Sequence, residues 1–147
     1  MKKIQNITSS ETFAVRHPVL RAGKPIETCQ FDGDDLDTTS HFGLFIDEKL
    51  IGVLSVFKTQ NINFKVENQF QMRGMAVLPE FQRKGYGEDL VKHCEKYVAQ
   101  NLGALIWFNA RENAVAFYEK LGYQKIGNPF SIANIGIHYV MKKEFGQ

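Results

Sequence analysis

The chain has 147 residues, 44% of them apolar and 23% charged, with a formal net charge of +2. That length suits one domain, 1–147, built around one sizeable core. So small a charge argues against a nucleic-acid-binding protein, and any pull on an anionic ligand must come from local placement of cations.

The two cysteines, Cys29 and Cys94, are far apart and form no CxxC pattern. They are read as reduced thiols of a cytoplasmic protein, with neither a disulfide framework nor a metal site expected. "MKKIQNITSS" has no apolar run behind its lysines, so no signal peptide is expected. No stretch approaches the roughly 18 apolar residues that would point to a membrane span. No internal repeat or low-complexity tract is visible.

Taken in chain order, "SSETFAVRHPVLR" reads as a helix with Ser9 or Ser10 as N-cap and Pro18 as a kink or stop. Residues 22–40 are acidic and rich in turn formers, and read as a long loop. "HFGLFID" and "LIGVLSVFK" read as a hairpin turning near Glu48. "QFQMRGMAV" (69–77) reads as a strand with Phe70, Met72 and Ala76 on one face; Gly74 inside it suggests a bulge. Leu90, Val91, Cys94 and Val98 recur at helical spacing, so a helix runs from Gly87 to near Gly103, with Cys94 in its packed face. "ALIWF" reads as a buried strand. Asn109, with Glu112 three residues on, reads as the cap of a helix that Gly122 ends. The remainder reads as two strands. The order gives a mixed α/β (α+β) single domain, with two successive strand–helix units at 69–101 and 104–121.

"QRKGYG" (82–87) lies between a strand end and a helix start. Unpaired N–H groups and the positive end of the helix dipole collect there, and the glycines let backbone approach a ligand. Arg83 and Lys84 add charge, so the stretch is a candidate pyrophosphate site. The bland alternative is a tight turn with solvated cations. GxxxxGK[ST] is absent, and "GYGEDL" lacks the third glycine of GxGxxG, so ATP and dinucleotide sites are poorly supported. In "NARENAVAFYEKLGY" (109–123), Tyr118 shares a face with Ala114 and Leu121, and read alone it is a core tyrosine.

"MAVLPEFQRKGYGEDL" followed about twenty residues later by "NARENAVAFYEKLGY" resembles the GCN5-related N-acetyltransferases (GNAT). The first stretch is similar to their acetyl-CoA motif, with Gln82, Gly85 and Gly87 at its marked positions. The second is similar to their N-x-x-A segment, with Asn113, Ala116, Tyr118 and Gly122–Tyr123. Element order agrees over about residues 40–143. The resemblance implies a mostly antiparallel twisted sheet flanked by helices, and an acyltransferase that moves acetyl from acetyl-CoA to a primary amine. It implies that the strands at 69–77 and 104–108 splay near Gly74, and that the pantetheine arm bonds backbone at Met75 and Val77, beside Ala76. It places the pyrophosphate on amides from Arg83 to Gly87, through Lys84 and Tyr86 and next to Glu88. Asn109, Asn113 and Tyr118 complete the cofactor set, and Tyr118 is the expected general acid. Homodimers are common in the family.

The base is open. Where histone-acetylating relatives carry a glutamate, register from "MAVLPEF" puts Gln71, which weakens a histone-like reading. His41, His138, Glu67, Asp32, Asp34 and Asp35 remain, each with a structural alternative. "FDGDDLD" lacks the Glu at position 12 of a calcium loop. Such a loop suits a cationic acceptor, or is a solvated turn. The rival function is a non-catalytic acyl-CoA-binding or sensing module on the same fold. A nucleotide-binding regulator is a third.

Overall fold

The structure, a computed structural model, describes residues 1–133 and 135–145. Contacts group the chain into two compact units: Met1–Lys58 with Met72–Tyr97, and Thr59–Gln71 with Val98–Gln147. β4 and α2 run through both. The elements are β1 (Lys2–Ile7), α1 (Phe13–Leu20), β2 (Ser40–Ile46), β3 (Lys49–Phe57), β4 (Gln69–Val77), α2 (Tyr86–Gln100), β5 (Leu105–Arg111), α3 (Val115–Lys120), β6 (Gln124–Ile132) and β7 (Gly136–Glu144).

In the first unit the strand order is β1-β2-β3-β4. β1 pairs antiparallel with β2 from Lys2↔Ile46 to Ile7↔His41. β1 was not expected from the sequence. Its edge position explains why: "KKIQNI" offers only Ile4 and Ile7 half-buried, so no apolar alternation marks it. The β2–β3 hairpin turns on Asp47 and Glu48, with φ of 47° and 73°. Both values are left-handed, which matches the twist of the flanking strands. Val15 of α1, Val53 of β3 and Ala76 of β4 form a buried cluster, with Ile7, Val19, Leu20, Leu50 and Leu78 packed on it.

A 3-10 turn (Ser10–Thr12) leads into α1, whose own N-cap Thr12 makes no side-chain cap bond; the cap lies before that turn, one residue ahead of the expected position. Thr8 N–H donates to Glu11 Oε1 at 2.7 Å, and Glu11 N–H to Thr8 Oγ1 at 3.2 Å. That is a reciprocal capping box. Ser9 makes no cap bond and instead donates to Asp35 Oδ1. Pro18 sits inside α1 and does not end it. On α2, Leu90, Val91 and Cys94 are fully buried, as their spacing predicts.

In the second unit, β4 begins alongside β5, with Gln69–Gln71 parallel to Leu105–Trp107. β5 pairs antiparallel with β7 from Leu105↔Glu144 to Arg111↔His138, and β7 with β6. The β7 ladder carries β5 past the expected end at 108, so Asn109 is a strand residue opposite Val140 and not a helix cap. A 3-10 turn (Glu112–Ala114) leads into α3 without a side-chain cap. α3 ends as expected at Gly122. Tyr123 N–H bonds Tyr118 O and Gly122 N–H bonds Glu119 O, a Schellman closure. Buried Gln69 pins the segment before it: its amide accepts from Asn61 N–H at 2.7 Å and donates to Val66 O at 2.8 Å. Among the described residues no helix is long and apolar enough to cross a membrane.

Candidate functional site

β4 delivers Met75, Ala76 and Val77 to the base of the glycine turn. A 3-10 turn at Pro79–Phe81 follows, and Gln82 is extended. Arg83 (φ 64°) and Gly85 (φ 88°) are both left-handed. A left-handed non-glycine such as Arg83 is strained, and such strain gathers at functional turns. Gln82 Nε2 reaches back to Val77 O at 2.9 Å. The turn is thereby tied to the end of β4.

α2 then begins at Tyr86, and Asp89 N–H bonds Gly85 O at 3.1 Å. The backbone N–H groups of Arg83 through Glu88 have no acceptor among the described residues. They lie at the N-terminal, positive end of a 15-residue helix. The side chains of Arg83 and Lys84 are exposed. A Cβ added to Gly85 would meet nothing within 4 Å, so the space over the turn is open.

Acidic residues sit in the same helical turn, yet each has a local cation. Glu88 pairs with Lys92, and Asp89 with Lys2, both at 2.7 Å. The Asp89 hydrogen bond raises the pKa of Lys2 above its ordinary value, and Glu88 does the same for Lys92. The turn keeps its positive potential, and the donor set suits the pyrophosphate of a coenzyme A thioester.

His41 is 5% exposed, and both ring nitrogens are engaged: Nδ1 with Ser55 Oγ at 2.6 Å, Nε2 with Asp34 O at 2.9 Å. A carbonyl can only accept, so Nε2 carries the proton and Nδ1 receives the Ser55 hydroxyl. Asp34 is buried against Arg16, whose Nη1 lies 2.6 Å from its Oδ2. Asp35 accepts from Ser9 and Gln30. Asp32 is exposed, and Glu67 is exposed in the segment before β4. Gln71 is half-buried in β4.

In the second unit, Tyr118 is half-buried on α3, its ring 4.4 Å from that of Phe108 and 5.0 Å from that of Phe117. Asn109 on β5 and Asn113 in the 3-10 turn are exposed. His138 is buried on β7, its Nδ1 2.9 Å from Gly136 O and its ring beside Phe130.

The sequence reading missed a cluster of cations around Phe31. The guanidinium carbons of Arg16, Arg73 and Arg21 stand 3.9, 4.8 and 5.3 Å from its ring centre. The paired arginines of "RHPVLR" and the arginine before Gly74 were the available signal.

The sequence model of the Acetyltransferase (GNAT) family matches residues 3–123. YitI of Bacillus subtilis strain 168, named as an uncharacterized N-acetyltransferase, is 35% identical over 97% of this chain and 96% of its own length. Among solved structures, the ribosomal-protein-S18-alanine N-acetyltransferase of Escherichia coli superposes with a TM-score of 0.79. It is 18% identical and covers 100% of this chain and 96% of its own. An aminoglycoside 6'-N-acetyltransferase complexed with coenzyme A gives a TM-score of 0.77 at 15% identity, covering 97% and 96%. The chain therefore belongs to the GNAT family, as an acetyl-CoA-dependent N-acetyltransferase.

Proposed function

We propose that the turn at Gln82–Gly87 and the first turn of α2 hold the coenzyme A pyrophosphate, and that the backbone of Met75 and Val77 lies along the pantetheine arm. The observation that carries this reading is the run of unpaired N–H groups from Arg83 to Glu88, with open space over Gly85. Acetyl-CoA supplies an activated acyl group and a thiolate leaving group. Backbone N–H near Val77 polarises the carbonyl. Tyr118 gives its hydroxyl proton to the departing sulfur; a phenol of pKa about 10 can protonate a thiolate of pKa near 8.5. Asn109 and Asn113 are assigned to the same cofactor.

A primary amine of pKa about 10.4 arrives mostly as ammonium and must lose a proton before attack. We assign His41 a structural role, because its two nitrogens are spent in the core. His138 stays a weaker base candidate, with one nitrogen engaged. Cytoplasmic location and a homodimer are part of this reading, by analogy with the family.

The test is cofactor binding in two matched variants. Gly85 and Gly127 both have positive φ and nothing within 4 Å of an added Cβ. Replacing either with leucine imposes similar backbone strain. Gly85→Leu is expected to abolish the acetyl-CoA thermal shift and Gly127→Leu to keep it. A ligand at 100 times its Kd contributes about 2.7 kcal/mol, which is readily seen. Equal shifts in both variants would refute the pyrophosphate assignment.

A further inference from the structure

Arg73 precedes the left-handed Gly74 of β4 (φ 67°) and stands two residues before Met75. Its guanidinium is half-buried and donates no hydrogen bond to any described residue. It rests against two aromatic rings, 4.8 Å from the centre of Phe31 and 5.5 Å from that of Phe57. Desolvation is the main reason its pKa lies below the ordinary arginine value. A guanidinium desolvated without a carboxylate is an uncommon arrangement, since buried charges are normally paired.

The acids nearby do not fill that vacancy. Asp34 is spent on Arg16, Phe31 N–H and the loop it closes. Asp35 is spent on Ser9 and Gln30. Asp32 is exposed and acts on Arg73 only through space. Arg21 bonds backbone carbonyls of Leu20 and Thr28 and adds a second unneutralised charge beside Phe31. A further donor is unsatisfied beside Gly74: Arg16 Nε is buried with no partner among the described residues, 3.3 Å from where a Gly74 Cβ would stand. The ledge beside the proposed thioester position is thus cationic, which opposes the expectation that the acidic loop draws in a cationic acceptor.

We propose that Arg73 binds an oxyanion of the acceptor, so that the substrate is a small amine that also carries a carboxylate or a phosphate. This rests on the reading of β4 as the strand that carries the acetyl thioester. The planar fork of Arg73 matches either oxyanion with two parallel hydrogen bonds. The anion anchors the acceptor beside the acyl carbon. The guanidinium also disfavours a nearby ammonium and lowers the pKa of the bound amine. The amine nitrogen then forms the new bond to the acetyl carbon while the carbon–sulfur bond breaks. Its surplus proton leaves to water, and the thiolate takes one from Tyr118.

Matched acceptor pairs test this: 4-aminobutyrate against propylamine, and phosphoethanolamine against ethanolamine. The wild type is expected to favour at least one anionic member by about tenfold to a hundredfold in kcat/KM, the size of a lost charge-assisted hydrogen bond. Which pair separates tells carboxylate from phosphate. In Arg73→Gln that preference should collapse towards unity while acetyl-CoA affinity stays unchanged. Arg73→Lys should retain part of it. A direct readout needs no turnover: the Arg73 Nε–H resonance should shift on titration with glutarate or inorganic phosphate. An acetyl-CoA-binding enzyme that acetylates both members of each pair equally, or an Arg73 resonance that neither anion moves, would overturn the inference. Loss of acetyl-CoA binding in the wild type would overturn the cofactor reading separately.

Discussion

Asp34 holds the Arg16 guanidinium with both carboxylate oxygens, at 2.6 and 3.2 Å, and neither side chain reaches solvent. Arg16 also donates to Cys29 O and Ser55 Oγ, so α1, the long loop and β3 meet at one ion pair. Removing one member leaves the other charged and buried. Asp34→Ala should therefore destabilise the protein by about 3–5 kcal/mol. Urea denaturation reads this directly, and a loss below 1 kcal/mol would show that water enters to solvate Arg16.

Gly74 has φ of 67°, and a Cβ there would come within 2.9 Å of Phe31 Cε2. Left-handed backbone and a steric clash act together, so Gly74→Ala should cost about 1–3 kcal/mol. Gly23→Ala is the control, with similar φ and open space around it. The difference in melting temperature between the two variants isolates the contact with Phe31.

Tyr118→Phe keeps the ring that packs at 4.4 Å on Phe108 and removes only the hydroxyl. Turnover should fall by about 10²-fold or more, the usual scale for a general acid, with acetyl-CoA affinity within about twofold. Single-turnover kinetics beside a binding titration separates the two. Wild-type turnover would remove Tyr118 from the proton-donor role.

His41→Gln should lower the melting temperature without moving either limb of the pH–rate profile. The ring ties Ser55 to the Asp34 carbonyl, and its loss leaves two buried polar groups short of a partner. A displaced basic or acidic limb at unchanged stability would restore His41 as a proton carrier.

Both thiols should resist alkylation in the native protein. Burial pushes the Cys94 thiol well above its ordinary range and raises that of Cys29, against the opposing pull of Arg21 and Arg16. Since the thiolate is the nucleophile, both should react far more slowly than free cysteine from pH 7 to 9. Mass spectrometry after iodoacetamide treatment checks this; rapid labelling of Cys94 would mean that α2 opens readily.

The elements that were legible in the sequence carry strong local signals. β4 with its glycine, the hairpin at Asp47–Glu48, the apolar face of α2 and the closure at Gly122 each follow from spacing or turn chemistry over a few residues. The glycine turn was legible because it is contiguous. β1 was hidden because an edge strand needs little apolar surface. Asn109 misled because its capping pattern competes with a β7 ladder supplied from thirty residues away. The network of Arg16, Asp34, His41 and Ser55 draws on residues up to 39 positions apart. Nothing in local pattern announces that an aspartate from an acidic loop will turn inward.

The hydrogen bond from Gln82 to Val77 has a consequence for donor choice. It hitches the turn proposed to hold the pyrophosphate to the strand proposed to hold the thioester, five residues away. If both assignments hold, this bond limits how far the two grips drift apart, and together they would act as a gauge of donor length. A donor with its pyrophosphate at coenzyme A's distance from the sulfur engages both at once. Acetyl-pantetheine, which lacks that second handle, should bind far more weakly and present its acyl group without register.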